Sequence, residues 1–222
     1  MAGQRRDGAD SGPDTRARIL AAAAKVLSTK GYSETRLADI AVLAELRAPA
    51  VYYYFASRDE LIAEVMAVGQ HRLRSHVESA LAALPAETGP MDRICAAIEA
   101  HLGVELHLSD FATAVTRNLG QLPDDIRDRL RAESGAYNAL WRDLLDAARA
   151  AGVVRPDLDL AAARMLLMGA LNWTPEWWNP RVGPLTTLVV TAQCLVRHGL
   201  GLPGAGQPEP DASPTTEGEN HA

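Results

Sequence analysis

Apolar residues return every three or four positions along most of the chain. That is the period of helices buried along one face, and the runs are richer in alanine and leucine than strands allow. Ile19, Leu20, Ala23, Val26 and Leu27 form the first stripe. Asp14 or Thr15 stands where a cap belongs, and Gly31 where a helix turns off, so the spacing predicts a helix ending near residue 30. A second helix is predicted over 37–44, with Leu37, Ile40, Ala41 and Ala44 on its inner face. A third covers 48–54; Pro49 suits its first turn, where an N–H has no intrahelical partner. Ser57, followed by Asp59 and Glu60, caps a fourth helix that runs to about residue 84, before Pro85.

Further along, helices are predicted at about 91–107, 109–119, 123–151, 157–173 and 184–199. They are punctuated by Pro123, Gly152, Pro156, Pro175, Pro180 and Pro184. Residues 1–13 are polar and Gly-rich, and 202–222 are rich in Pro, Gly, Ser, Thr and acid; both are expected to be disordered. No internal repeat is visible. The expected architecture is therefore all-α: a three-helix unit at 14–57 followed by a helical bundle at 58–201.

The stretch 35–61 carries the functional signal. A seven-residue third helix is marginal alone and must be clamped from behind. Val51 and Phe55, at i and i+4, point to one side and suit packing against Ile19, Leu37, Ile40 and Leu46. Ala48, Ala50, Tyr52 and Tyr53 then face outward, since three adjacent tyrosines cannot all turn inward. Tyr54 reads equally well as core or surface. Small alanines let a helix approach base edges, and their methyls can meet a thymine methyl. Phenol hydroxyls at the helix end can donate to phosphate oxygens. Arg58 adds a cation beside the N–H groups of the next helix. This is the pattern of a helix-turn-helix whose second helix enters a DNA groove.

Charge alone would not suggest that function. The 22 Lys+Arg and 28 Asp+Glu give a net charge of −6. Residues 1–60 hold nine of the former and eight of the latter, a balance of +1, leaving −7 for the remainder. An acidic body under a near-neutral head is compatible with DNA binding.

Other classes are disfavoured. Cys95 and Cys194 sit in apolar helical patterns without CxxC spacing, so two buried thiols in a reducing cytoplasm are expected rather than zinc or a disulfide framework. The longest charge-free apolar stretch before an arginine lies near 182–196, contains Gly183 and Pro184, and falls short of the roughly 18 residues of a membrane span. The N-terminus lacks the apolar core of a signal peptide, which points to the cytoplasm and no membrane partner. His71 and His76 are not spaced to share a metal. The run 199–204 matches GxGxxG by letter, but a dinucleotide loop needs a strand before it and a helix after it. No GxSxG, HExxH or P-loop is present. Neither an enzyme nor a cofactor is expected.

Residues 15–66 resemble the DNA-binding domain of the tetracycline-repressor (TetR) family. The resemblance rests on Arg18-Ile19-Leu20, Ala23, Gly31-Tyr32, Thr35, Asp39-Ile40-Ala41, Ala44, Val51-Tyr52-Tyr53-Tyr54-Phe55, Ser57-Arg58 and Leu61. It implies that Thr35, Arg36, Arg47, Ala48, Ala50, Tyr52, Tyr53 and Arg58 lie at or near DNA, and that the C-terminal bundle dimerises and binds an effector. Four positions depart from the family pattern. Glu45 replaces the glycine of the turn; a non-glycine residue in a left-handed conformation costs on the order of 1 kcal/mol, which leads one to expect a turn built differently. Arg47 replaces a Ser or Thr cap, Arg36 a common Ser or Thr, and Pro49 a common Gly.

In the body, Leu166, Leu167, Gly169 and Ala170, with Leu185, Leu188, Val189, Ala192, Leu195 and Val196, suit an intermolecular four-helix bundle about a twofold axis. Three tryptophans, Trp173, Trp177 and Trp178, fall beside Pro175 and Pro180, where they fit either a helix corner or interface or an apolar cavity. The segment resembles TetR-family regulators of fatty-acid, steroid or other acyl-CoA catabolism. Tyr137 and Trp141, with His71, His101, Leu102, Phe111, Met168 and Trp173, form the candidate effector set, each with an alternative reading as core. The expectation is a homodimeric regulator, a repressor, bound to a palindromic double-stranded operator and released by a small apolar or acyl-type effector such as an acyl-CoA. The alternatives are a TetR-like interaction module that has lost DNA binding and a helical enzyme in the second domain.

Overall fold

The computed structural model describes residues 12–107, 110–181 and 183–202. Its helices are α1 (Gly12–Glu34), α2 (Leu37–Leu43), α3 (Ala48–Tyr54), α4 (Arg58–Ala82), α5 (Pro90–His107), α6 (Asp110–Asn118), α7 (Asp124–Ala150), α8 (Leu160–Trp177) and α9 (Leu185–Leu200), with a 3₁₀ turn at Leu119–Gln121. The fold is all-α. The two segments expected to be disordered fall largely outside the described residues, although Gly12 and Pro13 already belong to α1.

Two apolar cores run through the molecule. The first joins α1, α2 and α3 to the opening turns of α4, through Leu61, Ile62, Val65 and Met66, and is closed by Phe111, Ala114 and Val115 of α6 and by Ile126 and Leu130 of α7. The second gathers Leu73, Val77 and Leu81 of α4 with Ile94, Ile98 and Leu102 of α5, Trp141 and Leu145 of α7, and Met168 and Leu171 of α8. α4 therefore serves both cores, and α6 is a wall of the head as much as of the body. The α4–α6 crossing depends on Gly69. A Cβ there would lie 2.7 Å from both the Phe111 carbonyl oxygen and Val115 Cγ2, inside van der Waals contact.

Three helix ends differ from the sequence expectation. Gly31 does interrupt α1, at φ +80°, but a further helical turn follows to Glu34. α8 begins at Leu160 because Asp159 caps it, accepting from the N–H groups of Ala161 and Ala162 at 2.8 and 3.1 Å. Asp157 is engaged instead by the Arg155 guanidinium, at 2.7 and 2.8 Å. α8 also continues through Pro175 to Trp177, since the proline forfeits only its own N–H and Trp178 N–H still reaches the Thr174 carbonyl at 3.0 Å. Cys95 is buried as expected, whereas Cys194 lies on the outer side of α9 and is exposed; both are free thiols. Among the described residues no helix is long and apolar enough to cross a membrane, and no group of three or more His, Cys, Asp or Glu is placed to hold a metal.

Candidate nucleic-acid interface and effector site

The turn between α2 and α3 sets the angle of the outward helix. Glu45 adopts φ +57°, the left-handed conformation a glycine would take, so the expectation of a differently built turn is corrected. Leu46 N–H donates to the Ala41 carbonyl at 2.8 Å and Glu45 N–H to Val42 at 3.1 Å. This is the bond pair of a Schellman motif. It satisfies two helix-end carbonyls and offsets the cost of holding an L-residue there. Arg18 donates from its guanidinium to the Ala44 carbonyl at 3.0 Å and ties the same helix end to α1.

α3 is clamped from behind as its pattern predicted. Val51 is 0% and Phe55 1% exposed, and the Arg16 guanidinium stacks 5.0 Å above the Phe55 ring while pairing with Glu64. On the other side Tyr52 is 57% and Tyr53 86% exposed. Tyr54 is half-buried against the head core and meets Tyr53 edge-on, with ring centroids 5.2 Å apart. Ala48, expected to face outward, instead packs partly against the head core because it sits in the first turn close to α1 and α2; Ala50 is half-buried, and Arg47 caps α3 without a side-chain hydrogen bond. Arg36 and Arg47 are exposed and form no ion pair with any described residue.

Thr35 and Arg58 are placed differently from these six. Thr35 is 2% exposed and donates its hydroxyl to the Gly31 carbonyl at 2.7 Å. Arg58 lies 4.3 Å over the Tyr32 ring and donates to the Tyr32 carbonyl, to the Thr35 carbonyl at 2.7 Å and to Asp59 at 2.9 Å. Both side chains satisfy the end of α1 rather than facing outward beside α3.

In the body, part of the candidate effector set comes together. His101 and Tyr137 stack with a 2.7 Å bond between Nδ1 and the phenol oxygen. Trp141 stands edge-on to both rings, with centroids 6.3 Å from each. Leu102 and Met168 belong to the same core. Phe111 packs instead in the head core, under the Arg72 guanidinium. His71 and Trp173 do not join the group. His71 is on the surface 3.8 Å from Glu133, and Trp173 is 65% exposed on α8.

Sequence reasoning missed Glu105 and Gln70. Glu105, one turn beyond His101, is 4% exposed; its Oε2 accepts from the Thr116 hydroxyl at 2.9 Å and its Oε1 has no partner. Burial pushes this carboxyl up to about 7, against the pull of the Thr116 bond. Burial likewise drives His101 down to about 4, with the Asn172 side chain opposing this without reaching hydrogen-bond geometry at Nε2. The Tyr137 phenol is raised well above its ordinary value, chiefly by burial, with the Trp141 indole beside it pulling the other way and the Glu105 carboxyl adding to the rise. Gln70 donates to Ser134 at 2.8 Å and leaves Oε1 unpaired. His101 Nε2 and Trp141 Nε1 are also buried and short of good hydrogen-bond geometry, with the Asn172 side chain facing the imidazole and the indole facing the Tyr137 phenol. The one available signal was a carboxylate at i+4 from a histidine inside an apolar stripe.

A cleft of about 600 Å³ opens at the surface near this group. Its walls come from the end of α1, from α6 and from α8, and include Thr116, Asn172 and Trp173.

A helix-turn-helix head with its second helix presented outward, seated on a larger helical body, defines a DNA-binding transcriptional regulator. The profile "Bacterial regulatory proteins, tetR family" matches residues 19–65, and "Tetracyclin repressor-like, C-terminal domain" matches 87–196. The chain belongs to the TetR family of transcriptional regulators. It is 29% identical over 156 residues to the transcriptional repressor NicS of Pseudomonas putida, covering 69% of this chain and 72% of that one. It is 27% identical over 186 residues to the repressor KstR2 of Mycobacterium tuberculosis, covering 81% and 88%. The solved structure of AibR in complex with isovaleryl coenzyme A and operator DNA superposes with a TM-score of 0.73, at 19% identity, over 84% of this chain and 98% of that one.

Proposed function

We propose that the chain is a homodimeric repressor whose two heads enter successive major grooves, about 34–36 Å apart, on a palindromic operator. A small apolar or acyl-type effector, an acyl-CoA among them, releases it. The observation that carries this reading is the outward side of α3: Tyr52 and Tyr53 project from a helix fixed by Val51 and Phe55. Ala48 and Ala50 supply the close approach to base edges, and Arg36, Arg47 and the two phenols the contacts to phosphate. Thr35 and Arg58 act from behind, by holding the end of α1. Met165, Leu166, Val190 and Leu195 are exposed apolar residues on α8 and α9, and a second copy is the natural cover for them. The AibR complex, with its coenzyme A ester and operator, supports both the DNA and the acyl parts of the reading.

Retardation of genomic fragments at low salt tests it. Tyr52→Phe is expected to weaken binding evenly across sequences by about two- to tenfold, the range of one hydrogen bond. Substitution of Ala50 by leucine should alter sequence preference instead. No retardation of any fragment would remove the regulator reading and leave the interaction module.

A further inference from the structure

We propose that Cys194 and His198 of α9 are one half of a zinc site, and that a second copy of the chain completes it with the same two side chains. The inference rests on the homodimer reading above.

The two residues stand four apart, one turn above the other on α9, and both are exposed. Cys194 Sγ lies 3.4 Å from His198 Nδ1, and Nδ1 lies 2.8 Å from the Cys194 carbonyl oxygen. A carbonyl only accepts, so in the neutral ring the proton sits on Nδ1 and the lone pair on Nε2. Metal-binding histidines are held in this way, with one N–H fixed by a carbonyl or carboxylate and the other nitrogen free to ligate. A thiolate and a neutral imidazole are donors that zinc takes in its closed four-coordinate sites, and i, i+4 spacing on a helix lets two ligands reach one ion.

Two donors fill half of a tetrahedral shell. Among the described residues no third His, Cys, Asp or Glu joins them. The pair lies instead within the exposed apolar face of α8 and α9. Val190 stands one turn before Cys194, Leu195 is next to it, and Leu166 lies across the intervening groove; all three are exposed. That groove, of about 430 Å³ between Leu166 and Ala170 of α8 and Leu195 and Gly199 of α9, suits an aliphatic side chain from outside. The face also carries no free charge. α9 has no acid, and the one acid of α8, Glu176, pairs with Arg117. Arg164 donates to Asn138, and Arg197 pairs with Asp92. Two chains of net charge −6 repel over most of their surfaces, which leaves this face for contact.

About a twofold axis such a patch meets itself. With that axis beside Cys194, two thiols and two imidazoles converge on one ion. Both thiols release their protons to solvent as the metal binds. Zinc with two thiolates and two neutral imidazoles carries no net charge, as burial between apolar faces requires.

The test uses the full chain, reduced and stripped of metal by a chelator, without DNA. It is titrated with cobalt(II), a coloured stand-in for zinc, while light scattering follows its mass. Tetrahedral visible bands and a near-ultraviolet thiolate-to-cobalt band are expected, saturating at one ion per two chains, and zinc should bleach both. Cys194→Ser should remove the thiolate band, and His198→Ala should weaken cobalt binding at least about tenfold. Cys95→Ser, at the buried thiol, should leave the spectrum unchanged. Leu166→Glu, which breaks the face without touching a ligand, should lose the bands. Three results would overturn the proposal: no thiolate band, saturation at one ion per chain, or a thiolate band that survives Cys194→Ser. A chain that is dimeric in chelator yet shows no bands overturns the zinc site alone. A chain that is monomeric with and without metal overturns the homodimer reading as well.

Discussion

Replacing Glu105 by glutamine should change how stability depends on pH, and the sign follows from burial. The folded chain raises this carboxyl from 4.5 to about 7, so it holds the proton more tightly than the unfolded chain does. Between those values the folded state binds more protons, and its stability falls as pH rises. The interval from 4.5 to about 7, at about 1.4 kcal/mol per tenfold change in proton affinity, amounts to on the order of 3 kcal/mol. That penalty is absent below about pH 4.5 and complete above about pH 7. His101 works the other way. It is buried neutral and lowered from 6.5 to about 4, so its contribution is lost as pH falls through that range. The glutamine variant keeps His101, and the difference between the two proteins isolates the carboxyl. Urea unfolding at one fixed protomer concentration, from about pH 4 to about pH 8.5, measures it. The variant should gain on the parent chain as pH rises, by on the order of 3 kcal/mol, and level off at the alkaline end. A difference that stays flat would show a carboxyl of ordinary proton affinity, and one in which the parent gains an ionised and paired carboxylate; either refutes the reasoning.

Gly69→Ala should lower the thermal midpoint by the equivalent of about 1–3 kcal/mol, because its Cβ would press on the Phe111 backbone, which cannot turn aside, as well as on Val115 Cγ2. Asn118→Ala should speed amide exchange at Tyr32, whose N–H loses its 2.7 Å partner, more than it speeds exchange in α9. Leu166→Glu, on the exposed side of α8, should give a monomer by light scattering with unchanged helical circular dichroism.

The helix pattern was legible wherever one face alone is buried. α2 and α3 fall within a residue of their expected limits because their boundaries are local: a Schellman turn, a proline in the first turn and a buried i, i+4 pair. The start of α8 was not local in the same way. Two aspartates two residues apart both suit a cap, and Arg155 decides between them by engaging Asp157. The outward positions of Tyr52 and Tyr53 on α3 were readable from period alone, whereas Ala48 packs partly against the head core. The inward placement of Thr35 and Arg58 was not, since it requires the carbonyls ending α1 to meet the start of α4, 23 and 26 residues away. Glu105 stayed hidden for a related reason. A polar residue in an apolar stripe reads as a flaw in the pattern until other helices bring Thr116 and Tyr137 beside it.

Three consecutive side chains of α6 join the parts of the molecule that function must connect. Thr116 donates to Glu105 in the body. Arg117 donates to the Ser28 carbonyl at 3.1 Å and pairs with Glu176 of α8 at 2.7 Å. Asn118 is fully buried, accepts from Tyr32 N–H and donates to the Leu27 carbonyl at 3.3 Å, both in α1. Gly69 lets α6 lie closer to α4 than any side chain there would allow. Through these three side chains any displacement of α6 would be felt at once by Glu105 in the body and by the end of α1. That end is the surface on which Thr35 and Arg58 close the head. The energy an effector could put into such a shift is limited to the difference in its affinity for the two positions of α6.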